Sequence, residues 1–173
     1  MKWIGLIAGY FVVFGGCMQQ GTGKPQTVDG NETGTAGNSN KGIEYIIFGR
    51  YCGRCISGKC APMYKADFLN KKITLDNSSN YTAGKPLAFT TELPAEKFNL
   101  VSKLDTYLPD SLFLTTEKRF GCPDCADQCG IYLEIKKAGK KYDFELDTKA
   151  SHMNGYIINI ATKLQEIINQ LQD

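Results

Sequence analysis

Hydrophobic positions divide the chain into three regimes. Between Ile4 and Gly16 every residue is apolar or small and none is charged, with Lys2 standing just ahead. Between Met18 and Gly42 apolar side chains nearly vanish, and Gly, Thr, Asn, Ser and Gln dominate. Beyond Gly42 hydrophobic residues return at regular spacing, the pattern of a folded domain.

Within that third regime, Ile43-Glu44-Tyr45-Ile46-Ile47-Phe48 is rich in β-formers and predicts a strand. Tyr64, Ala66 and Phe68 alternate with charges, the two-residue period of a half-buried strand. Asn70-Lys71-Lys72 turns the chain, Ile73-Thr74-Leu75 continues it, and Leu87-Ala88-Phe89-Thr90 predicts another strand. The clearest hairpin sets Ile131, Leu133 and Ile135 against Tyr142, Phe144 and Leu146, joined through Ala138-Gly139. Glu134, Lys136, Asp143 and Glu145 then form a solvated face, with Tyr132 pointing the same way.

Two helices are expected. Pro94-Ala95-Glu96 opens the first, since proline suits a first turn; Leu100, Val101, Leu104, Tyr107 and Leu108 form its apolar stripe, and Pro109 ends it. The second fills the C-terminus, where Ile157, Ile160, Leu164, Ile167, Ile168 and Leu171 recur at helical spacing. Strands grouped together with helices entering late imply an α+β domain, an antiparallel sheet with two helices packed on one face and cysteine-rich loops. Both stripes are accounted for by a core.

The organisation expected is a signal peptide over 1–16, a lipid-anchored flexible linker over 17–42, and a single globular domain over 43–173. The first apolar run is shorter than the roughly 20 residues that cross a bilayer, and it ends in Gly15-Gly16. Phe14-Gly15-Gly16-Cys17 resembles the lipobox of bacterial lipoproteins, in which lipid is attached to the cysteine and cleavage leaves that cysteine first. Phe14 departs from the leucine usual at that place. The resemblance implies acyl chains on Cys17, palmitate among them, and each buried methylene contributes about 0.8 kcal/mol, so several chains hold stably. The polar linker cannot offset its chain entropy by burial, and its r.m.s. reach scales as about 5–6 Å times the square root of its length.

Seven cysteines are present. With Cys17 assigned to lipid, the others form two clusters, Cys52, Cys55 and Cys60, then Cys122, Cys125 and Cys129. An even remainder fits an exported domain stapled by disulfides. Fifteen pairings exist and spacing does not choose among them; strand pairing would bring the clusters together, giving at least one bond between them, with Cys52 and Cys129 one candidate pair. Two alternatives use the same residues. Two C-x-x-C pairs match the spacing of a tetrahedral Cys₄ metal site, and C-x-x-C is also the motif of thiol–disulfide exchange, although no βαβ unit frames either copy. Asp124 and Asp127 are weaker candidates for calcium.

No cofactor is called for. Neither C-x-x-C is followed by histidine, as c-type haem requires, and the single histidine, His152, falls in a loop as a surface residue without a nucleophile beside it. The formal net charge of +2 falls by one with Lys2, and its signs are interspersed, so nucleic acid is not an expected partner.

The segments Phe48-Gly49-Arg50-Tyr51-Cys52-Gly53-Arg54-Cys55, Cys60, Met63-Tyr64-Lys65 and Gly121-Cys122-Pro123-Asp124-Cys125-Ala126-Asp127 together resemble an uncharacterised family of bacterial envelope lipoproteins. That resemblance covers most of residues 43–173, with Cys55, Cys60, Cys122 and Cys125 in its pattern. Cys52 and Cys129 look like additions to it, compatible with an extra bridge. It implies address and architecture but no activity. The reading is thus a non-enzymatic, lipid-anchored envelope protein whose disulfide-stapled domain binds or scaffolds an envelope protein or small ligand. Its alternative is a membrane-tethered thiol–disulfide oxidoreductase or Cys₄ metal protein. Met18 after the lipid cysteine favours the outer over the inner membrane.

Overall fold

The computed structural model describes residues 42–53, 61–78, 80–82, 84–125, 128–153 and 155–173. The leader, the linker up to Lys41 with the lipid site Cys17, and Cys55, Cys60 and Asp127 lie outside the described residues. Among those described, no helix is long and apolar enough to cross a membrane.

Seven strands form one sheet. They are β1 (Ile43–Cys52), β2 (Met63–Asp67), β3 (Lys72–Asp76), β4 (Thr91–Glu92), β5 (Arg119–Phe120), β6 (Cys129–Lys137) and β7 (Lys140–Asp147). The order is β4-β3-β2-β1-β6-β7-β5, antiparallel throughout except for the parallel pair of β5 with β7. Two α-helices, α1 (Phe98–Val101) and α2 (Tyr156–Gln172), complete an α+β architecture.

The β6–β7 hairpin sets Ile131 opposite Leu146, Leu133 opposite Phe144 and Ile135 opposite Tyr142. Ala138 and Gly139 both take positive φ, 50° and 77°. Such a two-residue turn matches the twist of the strands it joins. By the two-residue period, Ile46 and Phe48 of β1 share the face of Ile131, Leu133 and Ile135. These side chains belong to one buried cluster with Tyr64, Ala66, Ile73, Phe144 and Leu146, and with Ile157, Ile160, Ala161, Leu164, Ile167, Ile168 and Leu171 of α2. The buried positions of α2 are those of its sequence stripe together with Ala161, and burying each leucine or isoleucine contributes on the order of 1.5–3 kcal/mol.

Two expected elements differ. The helix expected from Pro94 to Leu108 is broken into a 3₁₀ turn at Ala95–Lys97, the short α1, and further 3₁₀ turns at Leu104–Tyr107 and Asp110–Phe113. Ser102 Oγ donates to Asn99 O at 2.9 Å and Thr106 Oγ1 to Lys103 O at 2.8 Å. Such side-chain bonds compete with the helical ladder, while Val101, Leu104, Leu108 and Leu112 still reach the core. Leu87-Ala88-Phe89-Thr90 is not a strand either. The Ala88 N–H donates instead to the buried Asp76 carboxylate at 2.6 Å, and pairing with β3 begins only at Thr91.

On the opposite face, Tyr81, Leu87 and Phe89 pack against a second cluster of Tyr51, Ala61 and Met63. Tyr132, expected in solvent, is covered there, its ring centroid 4.7 Å from that of Tyr81.

Candidate functional site at the disulfide end of the sheet

Strand β1 ends at Cys52 and β6 begins at Cys129, and the two are register partners. Their Cα atoms lie 4.1 Å apart, near the closer of the two spacings across an antiparallel pair. A disulfide joins them and so bridges the two cysteine clusters across 77 positions of sequence. The neighbouring pair is Tyr51 opposite Gly130. A Cβ on Gly130 would lie 2.6 Å from Tyr51 Cζ and 2.9 Å from Pro123 Cβ. The tyrosine ring and the buried Pro123 therefore close over Gly130, which tolerates no side chain.

A second disulfide joins Cys122 to Cys125. Cys122 is exposed and Cys125 half-buried. This loop is held by more than its bond. The Cys125 N–H donates to Cys122 O and the Gln128 N–H to Cys125 O, each at 3.2 Å. Asp124, with φ 62°, accepts the Gly53 N–H on Oδ1 at 2.7 Å. The Cys122 N–H donates to Asp147 Oδ2 at 2.8 Å.

Asp147 ends β7 and is fully buried. Its Oδ1 accepts the Lys149 N–H at 2.7 Å, and its Oδ2 also lies 2.7 Å from His152 Nδ1. Burial opposes the charge, but the hydrogen bonds from Lys149 and Cys122 and the bond and attraction to His152 outweigh it. They hold the carboxyl below the usual carboxylate range. Gly121 bends the chain onto this group with φ +76°; a Cβ there would meet Asp147 Cβ at 2.7 Å. His152 lies at the surface as expected, with 41% of its side chain exposed, and is tethered there to Asp147. It lines a cleft of about 790 Å³ together with Glu117, Phe120, Gly121, Met153 and Tyr156.

Behind the Cys52–Cys129 bond, the rings of Tyr51, Tyr81 and Tyr132 pack in sequence at tilted angles, the first two centroids 4.9 Å apart. The Tyr81 hydroxyl donates to Glu145 Oε1 at 3.3 Å, and Arg119 reaches Glu145 Oε2 at 2.7 Å. Burial first, then the neighbouring carboxylates, pushes all three phenols well above their ordinary range.

Of the residues named from sequence, four are placed together at one end of the sheet: Cys52, Cys122, Cys125 and Cys129. Their sulfurs are paired as Cys52–Cys129 and Cys122–Cys125. Coordination by thiolates would require both bonds to be reduced first. Asp124 Oδ1 accepts the Gly53 N–H, and Asp127, named with it for calcium, lies outside the described residues. Among the described residues no group of three or more His, Cys, Asp or Glu is arranged to hold a metal ion.

Asp147 was not legible as part of a site. It shares the alternating face of Asp143 and Glu145, and period alone marks it as solvated. Burial along that face rises from exposed Asp143 through half-buried Glu145 to Asp147. The cause is the Gly121–Cys125 loop lying over the end of β7.

No protein-family model matches the chain, and no curated protein matches it.

Proposed function

We propose that the chain is an exported, lipid-anchored protein of the bacterial cell envelope. Its leader ends at Gly16, Cys17 carries the lipid, and residues 18–42 form a tether from a membrane, the outer being favoured over the inner by Met18. The domain it carries is a disulfide-stapled binding or scaffolding module, with the helical segments laid together on one face of the sheet. Its partner is an envelope protein or a small ligand, and the cleft beside His152 is the concave surface available to it.

The observation that carries this reading is the Cys52–Cys129 bond at the end of the two central strands. Disulfides of that kind persist outside the cytoplasm, which is where a leader with Lys2 ahead of an uncharged apolar run and Gly15-Gly16 before Cys17 would send the chain. Tyr81, Leu87 and Phe89 cover the part of the opposite face around Tyr51 and Met63, while the cleft beside His152 is lined by other residues.

Labelling cells with a radioactive fatty acid tests the anchor. The full chain should incorporate label and fractionate with membranes, and Cys17→Ser should do neither. Label retained by Cys17→Ser would overturn the assignment.

A further inference from the structure

The two disulfides among the described residues differ in what they do for the fold. Cys52–Cys129 spans 77 positions and locks the ends of adjacent central strands. Cys122–Cys125 spans 3, closing a loop that is already fixed by other contacts. The Cys122 N–H is held by Asp147, the Gly53 N–H by Asp124, and Pro123 is buried against the Tyr51–Gly130 pair. Opening this bond removes little constraint from the unfolded chain, and it leaves every one of those contacts standing. A bond so placed is a far weaker staple than Cys52–Cys129.

We propose that Cys122–Cys125 is a thiol-exchange site whose substrates are cysteinyl peptides. Cys122 is the exposed partner and therefore the sulfur an incoming thiolate reaches; Cys125, half-buried, is the leaving group. The incoming sulfur bonds to Cys122 Sγ as the Cys122–Cys125 bond breaks, and the electron pair departs on Cys125 Sγ. Cys125 takes up the proton shed by the incoming thiol. The product is a mixed disulfide on Cys122 and a free thiol on Cys125, and no external oxidant or reductant is consumed. Gly121, the residue before Cys122, lines the cleft beside His152, which gives peptide flanking the thiol a surface to lie along. Asp147 acts as a positioning residue, fixing the Cys122 backbone and the His152 imidazole with one carboxylate oxygen.

This chemistry does not depend on the lipid anchor or on what else the domain binds. Its test uses the full chain in detergent micelles and reduced glutathione, itself a cysteinyl tripeptide. Samples are quenched in acid at intervals, alkylated and peptide-mapped, with circular dichroism recorded in parallel. The glutathione adduct should appear on Cys122 with alkylated Cys125, on the order of ten-fold faster than Cys52–Cys129 opens, and the circular dichroism should not change. Adduct on Cys52 or Cys129 first, or both bonds opening together with loss of structure, would overturn the proposal. A Cys122–Cys125 bond inert at every glutathione concentration that spares Cys52–Cys129 would overturn it equally.

Discussion

Replacing both Cys52 and Cys129 by alanine should remove about 4.5 kcal/mol of stability. The figure follows from the sequence separation of 77 between the two residues. In the chain-entropy treatment a cross-link across a loop of that length restricts the unfolded chain by about 15 cal/mol/K, or about 4.5 kcal/mol at 25 °C. The same treatment gives the Cys122–Cys125 bond, with its separation of 3, about 2 kcal/mol. Domains of this size have total stabilities of roughly 5–15 kcal/mol, so the first loss threatens the fold and the second does not. Urea titration of the two double-alanine variants, followed by near-ultraviolet circular dichroism of the buried tyrosines, measures both. The slope of free energy against urea should also steepen in the Cys52/Cys129 variant, because its unfolded chain exposes more surface. A Cys52/Cys129 variant within about 1 kcal/mol of the parent, or one less affected than the Cys122/Cys125 variant, would refute the assignment of staple and exchange roles.

Gly130→Ala forces a Cβ to within 2.6 Å of Tyr51 Cζ, and should cost about 1–3 kcal/mol in urea titration. Asp147→Asn should lower stability at neutral pH by about 1–3 kcal/mol, since it weakens three bonds to a buried carboxylate. Because the folded-state pKa of Asp147 lies below its unfolded value, its contribution is present above the ordinary carboxylate range and is lost as pH falls through it; the parent should therefore lose more stability than Asp147→Asn between about pH 5 and pH 2, and equal losses would contradict that. Tyr51, Tyr81 and Tyr132 should stay protonated in an ultraviolet titration at about pH 11, above the ordinary phenol range. Leu133→Ala, at a fully buried position on β6, should cost about 2–5 kcal/mol.

The parts of the fold legible in the sequence are those governed by a local period. The β6–β7 register and the buried stripe of α2 follow directly from spacing, because each element turns one regular face to the core. Segment 94–113 was harder, since its apolar spacing suits either a continuous helix or a string of tight turns. Ser102 and Thr106 decide between them by bonding to carbonyls three residues back. Leu87 and Phe89 alternate as a strand would, yet they cap the second cluster, with Ala88 bonded to Asp76. In the site, the cysteines announced themselves by count and spacing. The Asp147–His152 pair did not, because it depends on how the Gly121–Cys125 loop crosses the end of β7, which no local period encodes.

The most direct test of the account is peptide mapping, without reduction, of the full chain recovered from the membrane of an exporting cell. The account predicts an N-terminal peptide beginning at Cys17 and heavier by its acyl chains, together with linked peptides containing Cys52 with Cys129 and Cys122 with Cys125. An unprocessed or unacylated N-terminus, or Cys52 and Cys122 recovered as free thiols, would contradict it.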